Sequence, residues 1–295
     1  MRVLVTPYED PDMDGVACAY AYAELLRSQG HDAVAAIFGR PDQEAEYVLA
    51  HFNVPSLEDA AYYLDRDIIL VDASDTTGIP KVVDPAQVVE IIDHRQVHEA
   101  HLFVNAKLQI ELVGAAATLV AEKFTGEISR ESAALLYCAI VSNTINFMAS
   151  VTTDRDRVAA SAMKAKAGIP DSFVYDMFQH KSRIENLHAA FEQHKALFGT
   201  FEIIQLELVD TDEFIKRSDE LKSSLVRVRE EDGIAIIFLT IIDIEKGYNL
   251  FVTIDSETET ILERLLNVKF ENGIARREGI IMRKEIVPMI RAYMK

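Results

Sequence analysis

The sequence predicts an α/β protein: an N-terminal, mostly parallel sheet flanked by helices, plus a smaller C-terminal α/β domain, with a cleft between the two. In the first part of the chain, apolar strand patterns alternate with helical patterns. Strands that are apolar throughout are typical of parallel sheets covered on both faces. After a helical stretch, a second series of strands and helices begins near residue 190. We therefore expect domains over residues 1–185 and 190–295.

The elements follow in chain order from these patterns. The predicted strands of the first domain are residues 2–6, 33–38, 67–71 and 88–92. Its predicted helices are residues 16–28, 43–51, 114–124, 129–146, one from 153 or 154 to about 168, and one that starts at 171. A polar helix over 183–197 is interpreted as a linker. The second domain is expected to contain strands 201–209, 234–242 and 248–254 and helices 211–229, 258–266 and 285–294.

Composition narrows the class of protein. No apolar run approaches the roughly 20 residues of a membrane span, and the N-terminus does not resemble a secretory signal. The two cysteines, Cys18 and Cys138, lie in apolar helical patterns, as expected for buried free thiols in a reducing cytoplasm. The net charge of −18 disfavours long nucleic acids as substrates but is compatible with a small phosphorylated substrate.

Acidic residues follow three of the predicted strands. Asp10, Asp12 and Asp14 come after the first, Asp72 ends the third, and Asp93-His94 ends the fourth. In parallel sheets, ligands bind at the carboxyl ends of the strands. Because hard divalent cations prefer several oxygen ligands, these strand ends predict a metal site. The alternative is that acidic residues here only cap helices.

Taken in order, these motifs resemble those of the DHH phosphoesterase superfamily. Pro11-Asp12-Met13-Asp14 is similar to its first motif, Asp72 to its second, and Asp93-His94-Arg95 to its third. Residues 135–156 resemble the fourth-motif segment of family II (manganese-dependent) inorganic pyrophosphatases. Residues 283–288 resemble the basic, proline-ended motif of their C-terminal domain. The resemblance covers nearly the whole chain.

The resemblance implies a role for each matching position. One or two Mn²⁺ (or Mg²⁺) ions would be held by Asp10, Asp12, Asp14, Asp72, His94 and Asn143. Catalysis would depend on Asp14, Asp72, His94 and Arg95. Substrate would be bound by Arg95, His98, Lys195, Arg283 and Lys284. A homodimer is a further expectation that the sequence leaves open.

The chain also departs from the family pattern. Tyr8 stands where a histidine is expected, Asn143 replaces an aspartate, and Arg95 replaces the second histidine of the DHH triplet. Met282 stands where an arginine is expected. Asp10 lies where RecJ-like nucleases carry an aspartate, so we expect it to replace the missing histidine. Loss of a negative ligand at Asn143 should weaken Mn²⁺ binding and favour a single ion.

The expected function is metal-dependent hydrolysis of a phosphoester or phosphoanhydride bond in a small substrate such as pyrophosphate, short polyphosphate or a nucleotide. One alternative is an oligonucleotide or cyclic-dinucleotide phosphodiesterase, which Asp10 favours. The other is a catalytically degenerate protein that binds phosphate or a nucleotide, which Tyr8, Asn143 and Met282 favour.

Overall fold

The structure is a computed structural model that describes residues 1–96 and 98–294. The chain divides into two units, Met1–Met177 and Phe178–Lys295. Each unit contains one sheet, six-stranded in the first and five-stranded in the second. The predicted α/β class, with a parallel sheet first and a second, smaller α/β unit, is confirmed.

All neighbouring strands of the first sheet are parallel. The strands are β1 (Arg2–Thr6), β2 (Asp32–Ile37), β3 (Glu58–Asp59), β4 (Asp67–Val71), β5 (Val88–Asp93) and β6 (Lys107–Ile110). The helices are α1 (Met13–Ser28), α2 (Gln43–His51), α3 (Ala116–Glu122), α4 (Arg130–Asn143), α5 (Asp154–Ala167) and α6 (Phe173–Lys181).

The order of the strands, β3-β2-β1-β4-β5-β6, reverses between β1 and β4. In open α/β sheets, ligands bind in the crevice at the carboxyl ends of the strands where the order reverses. The segments that follow β1 and β4 leave the sheet at this crevice. The acidic residues at these two strand ends are therefore brought side by side.

A bulge interrupts the pairing of β4 with β5. Ile68 pairs with Val88, whereas the next residue, Ile69, pairs with Glu90, so Val89 is an extra residue on β5. After the bulge the register is regular, and the N–H of Asp72 donates to the carbonyl of Ile92 at 2.8 Å. The bulge therefore sets the level at which β5 ends relative to β4.

The first unit differs from the sequence prediction in its edge strands and in the end of one helix, and the two-residue strand β3 was not predicted. The edge strand β6 was not predicted, because its sequence KLQI has no continuous apolar pattern. The helix predicted to reach residue 146 ends at Asn143. Ile145, Asn146 and Phe147 then adopt left-handed backbone conformations, with φ of 50°, 49° and 65°, which an α-helix does not accommodate.

The second unit has a mixed sheet of order β11-β10-β9-β8-β7, in which only β8 and β9 pair in parallel. Its strands are β7 (Lys195–Leu197), β8 (Phe201–Leu208), β9 (Ile236–Asp243), β10 (Tyr248–Val252) and β11 (Ile274–Glu278). Its helices are α7 (Leu187–His194), α8 (Thr211–Ile215), α9 (Ser218–Asp232), α10 (Ser256–Leu266) and α11 (Arg283–Tyr293).

The interpretation of residues 183–197 as a linker is wrong. Helix α7 belongs to the core of the second unit, where Leu187 and Phe191 pack in one cluster with Ile204 of β8. The helix also carries His188, Glu192, Gln193 and His194, which made it look solvated in the sequence.

No helix among the described residues is long and apolar enough to cross a membrane. Cys18 and Cys138 are both buried and free, as predicted.

Candidate metal centre

Asp14 lies in the first turn of α1, and its side chain is fully buried. Its two oxygens accept hydrogen bonds from the backbone N–H groups of Ala116 and Ala117, each at 2.8 Å. These donors belong to the first turn of α3. Burial raises the pKa of the Asp14 carboxyl to about 6, although the neighbouring His94 and the two N–H groups favour its charged form.

Asp72 and His94 follow β4 and β5. Burial and the nearby Asp14 raise the pKa of Asp72 to about 8. The Nδ1 of His94 lies 3.0 Å from the carbonyl oxygen of Val113, which fixes Nδ1 as the protonated donor and leaves Nε2 facing the carboxylates. Burial alone would lower the pKa of His94, but Asp72 and Asp14 outweigh it and raise the pKa to about 9.

These three side chains converge on one point. His94 Nε2 lies 3.4 Å from Asp72 Oδ1 and 3.8 Å from Asp14 Oδ2. One ligand atom from each residue lies within 4.8 Å of the other two. Ligands that bind a divalent cation at about 2.1–2.3 Å stand about 3 Å apart when adjacent. The two oxygens and the nitrogen therefore fit a single divalent cation.

Arg95 places a fixed positive charge beside this group. Its Nη1 donates to Asp75 Oδ2 and its Nη2 to the backbone carbonyl of Asp72, both at 3.1 Å. The guanidinium carbon lies 5.4 Å from the centre of the Tyr8 ring. The side chain remains 32% exposed, so some of its donors can reach a ligand.

Asp12 caps α1: its Oδ1 accepts from the N–H groups of Asp14 at 2.9 Å and Gly15 at 3.2 Å. Asp10 is exposed, and its Oδ1 accepts from the N–H of Arg40 at 2.9 Å. Neither residue contributes to the group of three ligand atoms formed by Asp14, Asp72 and His94. Their assignment as ligands stays a prediction.

Asn143 reaches the centre from the end of α4, but as a hydrogen-bond donor. Its Nδ2 donates to Asp14 Oδ2 at 2.6 Å. A metal ligand would have to be its amide oxygen instead. Its predicted ligand role therefore remains a prediction, and the contact observed is with the carboxylate of Asp14.

Asp156 supports the centre and was not identified from the sequence. It is fully buried and accepts from the N–H of Gly114 at 3.0 and 2.9 Å and from the Thr118 hydroxyl at 2.5 Å. It also closes a capping box with Thr153 at the start of α5. The segment it holds, residues 113–117, supplies the partners of His94 and Asp14. The Thr153-x-x-Asp156 spacing was a visible signal of the cap.

The remaining predicted substrate-binding residues are placed as follows. His98 is exposed, and its Nδ1 accepts from the N–H of Ala100 at 3.4 Å. In the second unit, Lys195 pairs with Glu192 at 2.8 Å and Asp232 at 2.5 Å.

Two further predicted substrate contacts lie in the first turn of α11. Arg283 donates through Nη1 to the carbonyl oxygens of His194 at 2.8 Å and Ile203 at 3.3 Å. Lys284 follows it and is exposed. The side chain of Arg283 is thus engaged by its own unit.

Comparisons with known proteins agree with this fold. Residues 2–140 match the DHH family, N-terminal domain, and the resemblance predicted from the motifs is confirmed. The chain is 28% identical, over 303 residues, to the manganese-dependent inorganic pyrophosphatase of Bacillus subtilis, covering 98% of this chain and 97% of that protein.

Two solved structures extend the comparison. A candidate family II inorganic pyrophosphatase of Methanococcus jannaschii superposes with a TM-score of 0.79 at 26% identity, covering 99% of this chain and 100% of that chain. An exopolyphosphatase-related protein of Bacteroides fragilis shares the fold, with a TM-score of 0.50 at 14% identity and coverage of 99% and 91%.

The affinity for Mn²⁺ is expected to rise steeply with pH. Binding requires charged carboxylates and a neutral imidazole, whereas the raised pKa values of Asp14 (about 6), Asp72 (about 8) and His94 (about 9) keep protons there. The affinity should change about tenfold per pH unit for each proton released. Calorimetric titrations in buffers of different ionisation enthalpy measure that release, and an affinity that is flat from pH 6 to 9 would contradict it.

The raised pKa of Asp72 also makes the stability of the metal-free protein depend on pH. The pKa of Asp72 is higher in the folded chain than in the unfolded one, so folding favours its protonated form. That contribution is present at low pH and is lost as pH rises through about 8. Mn²⁺ should therefore raise the melting temperature more at pH 8.5 than at pH 6.

Asn143→Asp is expected to lower the stability of the metal-free protein and to raise its affinity for Mn²⁺. The new carboxylate would face Asp14, which Asn143 now contacts at 2.6 Å, and like charges repel. Thermal unfolding should show a lower midpoint without metal and a larger shift on adding Mn²⁺. An equal loss of stability with and without Mn²⁺ would argue against a cation at this point.

Proposed function

We propose that this protein is a metal-dependent hydrolase that acts on phosphoanhydride or phosphoester bonds of a small substrate, such as pyrophosphate, short polyphosphate or a nucleotide. The observation that carries the proposal is the group formed by the buried Asp14 and Asp72 and the partly buried His94 at the carboxyl edge of the parallel sheet. The similarity to proteins named as manganese-dependent inorganic pyrophosphatases supports Mn²⁺ as the cation.

The chain's own residues supply the rest of the chemistry. A cation held by Asp14, Asp72 and His94 would supply Lewis-acid activation of water and of a phosphoryl group. The bond from His94 Nδ1 to Val113 keeps Nε2 directed at the cation position. Arg95 can neutralise charge on phosphoryl oxygens, because a guanidinium offers donors in a fork that matches phosphate.

The test is hydrolysis by the purified chain with Mn²⁺, measured as phosphate release from pyrophosphate, tripolyphosphate and nucleotides, and as release of shorter nucleotides from short oligonucleotides and cyclic dinucleotides. We expect turnover of one of the first three and little of the last two. Preferential turnover of an oligonucleotide or a cyclic dinucleotide would replace the small-substrate proposal. Phosphate binding with no turnover of any substrate would reject the enzyme in favour of a binding protein.

The finer assignments belong to this proposal as well. They are substrate contacts by His98, Lys195, Arg283 and Lys284, a homodimeric state and a cytoplasmic location. The similarity over nearly the whole length of the B. subtilis enzyme supports the first of these.

A further inference from the structure

The Arg95 guanidinium is held from three sides. Asp75 and the carbonyl of Asp72 accept its two hydrogen bonds, both at 3.1 Å. The Tyr8 ring lies under the guanidinium, with 5.4 Å between the guanidinium carbon and the ring centre. These contacts fix a positive charge in place before any ligand arrives, within reach of the group formed by Asp14, Asp72 and His94.

Two side chains of the loop after β1, Tyr8 and Asp12, form hydrogen bonds within the loop and with the start of α1. The Tyr8 hydroxyl accepts from the N–H of Asp12 at 3.0 Å. The Asp12 carboxylate caps α1 through the N–H groups of Asp14 and Gly15. This side of the centre therefore presents a phenol and a helix-capping carboxylate next to the Arg95 guanidinium.

A neutral side chain, that of Asn143, also contacts the centre. Asn143 turns its amide nitrogen, not its oxygen, towards Asp14. Relative to the motif pattern, an amide in place of a carboxylate and a guanidinium in place of a neutral imidazole each add one positive charge. Together they add the charge of one divalent cation.

We propose that the centre binds a single divalent cation, on Asp14, Asp72 and His94, and that the Arg95 guanidinium, stacked on Tyr8, takes the place of a second cation. A phosphoryl group would then be bound between the ion and the guanidinium. This inference rests on the proposed function only for the identity of the anion.

The first test counts ions. Native mass spectrometry and calorimetric titration of the metal-free chain with Mn²⁺ should give one ion per chain. The triple variant Tyr8→His/Arg95→His/Asn143→Asp should gain a second ion. Two ions of comparable affinity on the unmodified chain would overturn the inference.

The second test separates a charge role from a structural one. Arg95→Gln should raise the affinity for Mn²⁺, because a neighbouring positive charge is removed. The affinity of the Mn²⁺-loaded chain for inorganic phosphate should fall by about 10–100-fold, since a charged hydrogen bond is lost. The inference requires the affinity for Mn²⁺ to rise and the affinity for phosphate to fall. A loss of both affinities would overturn it.

The chain offers a matched control. Arg66 lies over the Tyr63 ring at 5.4 Å and donates to the carbonyl of Asp32 at 2.8 Å, so its environment resembles that of Arg95. Asp32 begins β2, at the end of the sheet opposite the strand ends that carry the metal centre. Arg66→Gln should leave both affinities unchanged.

The outcomes separate this inference from the proposed function. One ion with opposite shifts in Arg95→Gln, but no hydrolysis of any phosphate compound, would retain the inference and reject the enzyme. Hydrolysis by a chain that binds two ions would retain the enzyme and reject the inference.

Discussion

Asp72→Asn will abolish hydrolysis and lower Mn²⁺ affinity by more than about 100-fold, because loss of a direct ligand exceeds the 10–100-fold cost typical of outer-shell partners. Asn is the suitable replacement because Asp72 has a φ of 54°, and asparagine tolerates left-handed backbone well. The variant removes a buried carboxylate whose charged form burial disfavours. The metal-free protein should therefore keep its melting temperature, while the stabilisation by Mn²⁺ disappears.

The matched control lies at the other end of the same strand. Asp67 is the exposed first residue of β4, so Asp67→Asn should retain both hydrolysis and metal affinity. Thermal unfolding with and without Mn²⁺, together with phosphate release, measures all of these quantities. Unchanged Mn²⁺ affinity in Asp72→Asn would show that Asp72 is not a ligand of the metal.

Asp156→Ala is expected to have the largest effect on stability. The change leaves the buried N–H of Gly114 and the hydroxyl of Thr118 without the carboxylate they now bind. It also opens the cap of α5 at Thr153. At about 1–3 kcal/mol for each buried group left unsatisfied, the free energy of unfolding should fall by at least about 3 kcal/mol.

Two further measurements test the link from Asp156 to the metal centre. Because Asp156 holds the segment that contacts Asp14 and His94, Mn²⁺ affinity in the folded variant should fall by about 10–100-fold. Asp154→Ala, in the same first turn but exposed, should change the free energy of unfolding by no more than about 0.5 kcal/mol. If the Asp156→Ala protein folds and keeps its Mn²⁺ affinity, Asp156 stabilises the fold but does not support the metal centre.

Much of the first unit could be predicted because its buried strands carry continuous apolar patterns. Residues 2–6, 43–51 and 67–71 have the predicted bounds. Short edge strands were missed since only one side of each is paired and their sequences mix polar and apolar residues. Of these, β6 reads KLQI and β11 reads IARRE.

The candidate site was predictable where it follows directly from strand order. Asp14, Asp72 and His94 follow three neighbouring strands of a parallel sheet, so their proximity could be inferred from the sequence. Their partners could not. Ala116 meets Asp14 across 102 positions of the chain, and the contact depends on how α3 packs on the sheet.

The extra residue Val89 has a consequence for how this chain can vary. Side chains alternate between the two faces of a strand, so one residue more or fewer inverts every position that follows. Val89 is the exception, because it is the residue of the bulge that has no partner on β4. Without it, Val88 and Glu90 would be consecutive, as their partners Ile68 and Ile69 are, and Ile91 and Ile92 would keep their partners Leu70 and Val71. Deletion of a residue after the bulge, such as Ile91, would instead turn the following side chains to the opposite face and move His94 away from Asp72. A single-residue deletion there would damage the fold and the metal site together.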